Sequence, residues 1–243
     1  MRNEQYIFDT ARKKTPPATI KKENGWLRHD VVKKLKGASN IGIELGVAQG
    51  VFSKRMMGSG KFQRFYGVDL YGTGQHNTQE YCATLKYVGF DDPRYCLLRM
   101  DFDSALNLFE DNYFDFIYVD GFAHTGEEGG KTLIDWIKKL KVGGVFAGDD
   151  YHSDWPLVVW AVNDLARQLD VKISVTQGQE DSAYSKYPTW FFRKENNPEE
   201  LVVDPLLYKL GIREDKRLKK ERKSFLVKTK TLIAGAFGLT KRK

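Results

Sequence analysis

The chain has 243 residues, 41% hydrophobic and 13% aromatic, enough apolar material for a sizeable core, which excludes a mostly disordered chain. Its two cysteines, Cys82 and Cys96, exclude a disulfide framework and a cysteine-only zinc site and suit a reducing, intracellular setting. The formal net charge of +7 is unevenly spread: residues 1–36 hold ten Lys/Arg and four Asp/Glu, residues 213–243 twelve and three, and residues 37–212 seventeen and twenty-five. The net figure therefore says nothing of what the acidic centre binds.

In chain order, residues 1–24 show little periodicity and contain Pro16-Pro17, which predicts a mobile arm or a cover over a site. Residues 25–37 follow as one helix, with Trp26, Leu27, Val31, Val32 and Leu35 on its apolar side. Short β-branched runs then predict strands at 41–45, 64–69, 95–100, 114–120 and 144–149, with helices at about 48–57, 77–88, 104–109 and 126–140. This alternation is the pattern of a parallel sheet covered on both faces. An amphipathic helix at 155–169 and two strands at 171–176 and 189–193 complete it, the last two joined by a loop as an antiparallel hairpin. The expected fold is α/β, a Rossmann-like doubly wound sheet of seven strands, with a domain over 25–205 and a basic, partly helical tail over 206–243.

The first strand runs into Glu44-Leu45-Gly46-Val47-Ala48-Gln49-Gly50. Gly46 permits a tight turn and Gly50 a close backbone approach. Ala48 and Val51 stand where a dinucleotide fingerprint needs glycine, and Glu44 suits a cationic ligand better than a phosphate. A plain strand-to-helix turn is the other reading. The second strand ends in Asp69, placed to accept the two hydroxyls of a ribose, and Leu70-Tyr71 offer surface for a base. Asp101, after the third strand, adds a carboxylate for an adenine edge.

Asp120 closes the fourth strand, and Asp149 and Asp150 close the fifth, on the same sheet edge. Three carboxylates that close repel unless one is protonated or a cation sits among them. Oxygen ligands favour Mg²⁺ or Mn²⁺ over zinc. The alternative is that one aspartate binds the cofactor while the others cap a helix or face water.

These residues, in this order, resemble the class I S-adenosylmethionine-dependent methyltransferases, the likeness spanning about residues 26–193. It implies that Glu44, Gly46 and Gly50 meet the methionine end of the cofactor, that Asp69 holds the ribose and Asp101 the adenine, with Asp120 also at the cofactor. Asp120-Gly121-Phe122-Ala123-His124 and Gly143-Gly144-Val145-Phe146-Ala147-Gly148-Asp149-Asp150 further resemble the metal-dependent O-methyltransferases related to macrocin O-methyltransferase, methyltransferase family 24. His124 stands one residue later than that branch's usual histidine. The resemblance implies S-adenosylmethionine and Mg²⁺ (or Mn²⁺) as cofactors, Asp120, Asp149 and Asp150 as metal ligands, and a sugar, glycan or other small polyol hydroxyl as acceptor. Asp149 and His124 would act in catalysis, His124 as base, with His152 or a lysine as the other choices. A hydroxylase-like enzyme on the same fold and a noncatalytic nucleoside-binding protein are the alternatives.

No stretch reaches the roughly 20 apolar residues that crossing a bilayer needs, and residues 1–9 are polar where a signal peptide is apolar. The expected location is the cytoplasm. The basic residues of 213–243 read as a solvated tail, as a peripheral contact with the anionic inner face of the membrane, or as nonspecific RNA contact. The acidic site edge argues against nucleic acid as substrate. A homo-oligomer is among the open assemblies.

Overall fold

The computed structural model describes residues 3–72, 76–178 and 184–236. Residues 73–75 and 179–183, within two loops expected to shape the acceptor pocket, and residues 1–2 and 237–243 of the two tails lie outside the described residues.

Eight strands form one sheet: β1 Ile20–Glu23, β2 Asn40–Leu45, β3 Phe62–Asp69, β4 Tyr95–Arg99, β5 Phe114–Val119, β6 Leu140–Gly148, β7 Ile173–Thr176 and β8 Trp190–Arg193. Their order is β1-β7-β8-β6-β5-β2-β3-β4. Only β8 runs antiparallel to its neighbours, β6 and β7. The expected Rossmann-like sheet with its C-terminal hairpin is thus present, with eight strands instead of seven. The additional strand is β1, which pairs in parallel with β7 from Ile20 opposite Ile173 to Glu23 opposite Thr176. Its sequence, Ile-Lys-Lys-Glu, lacks the apolar alternation that marks a strand because it forms an exposed edge, where charged side chains discourage further pairing.

Helix α1 Asn3–Lys14 precedes that strand, and its Ile7 and Ala11, four residues apart, are fully buried in the main core. The N-terminal segment, expected as an arm or cover, therefore supplies a helix and a strand. The helix expected over 25–37 is a shorter 3-10 run, Arg28–Lys34, with Asp30 accepting the Leu27 N–H at 2.9 Å.

Along β5, Phe116 and Tyr118 pack in one core with Phe52 and Phe65, whereas Ile117 and Val119 pack in the other with Leu133, Trp136 and Leu157. A strand buried on both faces reads as the continuous apolar run seen in Phe114–Val119. Helices α2 Val51–Gly58, α3 Thr78–Val88 and α4 Phe102–Leu106 follow β2, β3 and β4 in turn. The helix expected over 126–140 is broken: a left-handed turn, α5 Gly126–Gly129, leads into α6 Lys131–Trp136 and a 3-10 turn at Ile137–Lys139. α7 Pro156–Leu169 buries Leu157, Val158, Ala161, Val162, Leu165 and Leu169, the six residues its periodicity selects. α8 Pro205–Ala236 begins inside the core through Leu207 and Leu210. Among the described residues no helix is long and apolar enough to cross a membrane.

Candidate active site

The turn after β2 is held from several sides. Gly46 has φ +92°, and a Cβ there would overlap the carbonyl oxygen of Asp120, so only glycine lets β2 and β5 approach this closely. Gly50, φ +77°, lies against Val88 and Thr84 of α3 with no room for a side chain. Between them Ala48 adopts φ +47° despite its Cβ. Its carbonyl accepts hydrogen bonds from Tyr71 Oη at 2.6 Å and Thr84 Oγ1 at 2.8 Å, which fix that conformation. Glu44 lies beneath the turn, buried, with Ser53 donating to its carboxylate. Burial raises its pKa well above the usual carboxylate range, and Asp120 and Asp69 push the same way.

Asp69 closes β3 and braces the turn: Oδ2 accepts from the backbone N–H groups of Val47 at 3.0 Å and Ala48 at 2.9 Å, and Oδ1 from that of Tyr71 at 3.2 Å. Of the roughly four acceptor positions of a carboxylate, one remains. Tyr71, expected to offer its ring to a base, is fully buried; Leu70 is the exposed one of the pair. Asp101 caps α4, with Oδ1 accepting from Ser104 N–H at 2.7 Å and Oδ2 from Ser104 Oγ at 2.9 Å. Those bonds lower its pKa.

Asp120, Asp149 and Asp150 do gather at the ends of β5 and β6, and the cation among them is part of the chain. The Arg28 guanidinium pairs with Asp120 through Nη2 and with Asp149 through Nη1, the latter at 3.3 Å. It stands 5.0–5.2 Å from the ring centres of Phe52, Tyr118 and Tyr184, a cage that suits a weakly hydrated cation. Asp149 also accepts from Thr189 Oγ1 at 3.0 Å. Burial raises the pKa of Asp149 to about 7 and that of Asp150 to about 8, with neighbouring carboxylates adding to the shift. Both conditions for relieving the repulsion, an internal cation and retained protons, are met by the protein itself.

A divalent metal does not fit this arrangement. Its place between Asp120 and Asp149 is held by a guanidinium, and among the described residues no three His, Cys, Asp or Glu side chains converge as a metal site. Asp120 and Asp149, expected to hold Mg²⁺ with Asp150, hold the Arg28 guanidinium instead.

His124 is brought elsewhere. Its ring packs edge-on against Trp155, centroids 4.7 Å apart, and burial lowers its pKa, with Glu214, Arg217 and Arg222 of α8 and Glu4 of α1 the charges acting on it. His152 accepts from Asp154 N–H at 3.2 Å and lies beside Tyr187.

Two residues join the site that composition and spacing do not single out. Arg28 is one. Glu127 is the other: it is 2% exposed, its Oε2 has no hydrogen-bond partner, and its backbone is left-handed at φ +54°. Burial raises its pKa strongly, reinforced by Asp150, Asp120, Glu128 and Asp149. The run Gly126-Glu127-Glu128-Gly129-Gly130 is the only sequence trace of it, as glycine clusters mark turns.

Residues 41–151, which run from the start of the glycine turn's strand to the carboxylate cluster, match the family model described as a methyltransferase domain. Over that stretch, a little under half of the chain, the sequence is similar to a methyltransferase domain. Solved structures similar to this chain include spermidine synthase in complex with the transition-state analogue AdoDATO, 14% identical over 77% of this chain and 70% of that one, TM-score 0.53. Spermidine synthase from Thermotoga maritima is 15% identical over the same shares, with TM-score 0.53. Cofactor-bound Rv0187 from MTB is 12% identical over 79% of this chain and 88% of that one, with TM-score 0.51. At such identities the likeness is one of fold. No curated protein matches this chain in sequence.

Proposed function

We propose that this protein is a methyltransferase that moves the methyl group of S-adenosylmethionine to a hydroxyl of a sugar or another small polyol, with carboxylates and Arg28, not a divalent metal, managing charge and proton. The observation that carries this reading is the Arg28 guanidinium set between Asp120 and Asp149, beside carboxyls whose pKa values lie near neutrality.

The turn at Gly46–Gly50 would take the methionine end of the cofactor, the remaining acceptor position on Asp69 a ribose hydroxyl, and exposed Leu70 the base. Asp101 lies at the third strand end for the adenine edge. The acidic edge stabilises the positive sulfonium without competing with a phosphate. Asp150 in its ionised form is the base: no described side chain hydrogen-bonds to its carboxylate, and a pKa raised to about 8 makes that form a stronger base than an ordinary carboxylate. The acceptor oxygen attacks the methyl carbon in line, the carbon–sulfur bond breaks with its electron pair going to sulfur, and the hydroxyl proton passes to Asp150. Arg28 fixes Asp149 and Asp120 so that the carboxylates hold their places as the sulfonium charge disappears.

Calorimetry with S-adenosylmethionine, followed by transfer of labelled methyl to sugar nucleotides and free glycans with and without EDTA, tests this. Turnover unaffected by EDTA is expected, and Asp150→Asn should lower it roughly 10²–10⁴-fold, the range of a lost general base. Asparagine tolerates the left-handed φ of +64° at that position, so the fold survives. Turnover abolished by EDTA and restored by Mg²⁺ would overturn the role given to Arg28, and absence of cofactor binding would overturn the whole reading.

A further inference from the structure

Of the four carboxyls of the cluster, Asp120 and Asp149 pair with Arg28, and Asp150, its pKa raised to about 8, mostly holds a proton near neutral pH. Glu127, the fourth, is buried and lacks a partner at Oε2, and the two terminal nitrogens of Arg28 pair with Asp120 and Asp149 instead.

Its backbone makes the case stronger. Phe122, Glu127, Glu128 and Asp150 all have φ between +54° and +65°, a conformation unfavourable for residues with a Cβ. The turn is clamped so that it cannot relax. At Gly126 a Cβ would press on Leu157 of α7 at 2.5 Å, at Gly129 on the Tyr208 backbone of α8 at 2.6 Å, and at Gly211 of α8 on the Gly129 nitrogen at 2.7 Å. Glycine or asparagine would serve such a turn with less strain, and any neutral residue would avoid the desolvation of a carboxyl. A glutamate held there has its use in a ligand.

We propose that the acceptor carries an amino group, bound as an ammonium ion by the Glu127 carboxylate. The acceptor class narrows from polyols to amino-bearing hydroxyl compounds such as amino sugars and amino alcohols. An ammonium ion supplies the donors that Oε2 lacks, and its arrival drives Glu127 to release its proton. This deepens the proposed methyl transfer and rests on it.

The test uses the full chain saturated with S-adenosylhomocysteine and three pairs matched in shape: glucosamine and glucose, ethanolamine and ethylene glycol, 5-amino-1-pentanol and 1,5-pentanediol. Binding is read by calorimetry in two buffers of different ionisation enthalpy, which also counts protons released. At least one amine should bind roughly tenfold or more tightly than its partner, the size of one charge-assisted hydrogen bond, with net proton release. Glu127→Gln and Glu127→Gly should remove both the preference and the release, the glycine variant keeping the turn because it suits φ +54°. Glu128→Gln should keep both. No preference in any pair, or a preference that survives both Glu127 variants, would overturn the proposal while leaving the methyl-transfer reading in place. Failure to bind S-adenosylhomocysteine at all would overturn both.

Discussion

Arg28 decides the character of the site because it converts a repulsive carboxylate cluster into a bound ion group. Its side chain and that of Asp149 are about one-tenth exposed, so removing one partner leaves the other charge stranded in a poor solvent. Arg28→Ala should therefore destabilise the protein by about 3–5 kcal/mol, measured as the midpoint shift in urea, and Arg28→Lys should recover only part of it because a lysine cannot fork between two carboxylates. The raised carboxyl pKa values have a thermodynamic consequence of definite sign. Asp149 and Asp150 titrate near 7 and 8 when folded against a model value of 3.8, so between those limits the native state holds protons the unfolded chain has lost. Stability is then fully present below pH about 4 as far as these two groups go, and is lost as pH rises toward 8. Denaturation midpoints should fall over that interval, and Asp150→Asn should flatten the fall; a wild-type midpoint rising from pH 5 to 8 would contradict the assignment. The convergence of Asp120, Asp149 and Asp150 is legible in the sequence because parallel strands end on one edge. Arg28 is not, since it precedes Asp120 by 92 residues and lies in a segment whose periodicity reads as a helix.

The turn that follows β2 shows what an element adds to its residues. Gly46 is needed for the contact between two strand ends rather than for the turn alone: its missing Cβ is where the Asp120 carbonyl lies. Gly46→Ala should drive β2 and β5 apart at their C-terminal ends, weaken S-adenosylmethionine binding by at least tenfold in calorimetry, and cost about 1–3 kcal/mol as an overpacked position. Gly50→Ala should weaken the same binding as well, since φ +77° strains alanine and its Cβ would press on the stiff β-branched side chains of Thr84 and Val88. Strand-and-turn order is legible from spacing because each buried strand is a compact apolar run. The turn at Gly126–Gly130 is not, because its neighbours Leu133, Ile134 and Trp136 continue a helical pattern into which the glycines simply fall. What fixes it is tertiary: α7 on one side and α8 on the other leave only a left-handed path. Edge strand β1 escapes detection for the opposite reason, having almost no apolar side chain to betray it.

At the scale of the molecule, both ends of the chain support the site although neither is near it in sequence. α1 buries Ile7 and Ala11, and its Glu4 pairs with Arg217 of α8 at 3.2 Å, while Arg217 also pairs with the buried Glu214 and with Glu221. Leu207 and Leu210 bury the start of α8, and Gly211 sets it directly against the turn that carries Glu127. The basic run from Lys216 to Lys223 continues the helix, with Arg217 held in this anchor and Lys216, Lys219, Lys220, Arg222 and Lys223 exposed. Two truncations distinguish the parts. Ending the chain after residue 223 removes none of the buried contacts named here, so the urea midpoint should shift by less than the equivalent of about 0.5 kcal/mol and cofactor affinity should hold. Ending it after residue 205 withdraws Leu207 and Leu210, each contributing about 1.5–3 kcal/mol by burial, and frees the Gly126–Gly130 turn. That second protein should lose several kcal/mol and, if it still folds at low temperature, should bind S-adenosylmethionine while no longer distinguishing amines from their matched alcohols. Equal stability of the two truncated proteins would show that α8 is an appendage, and the clamp on Glu127 would have to be sought in α7 alone.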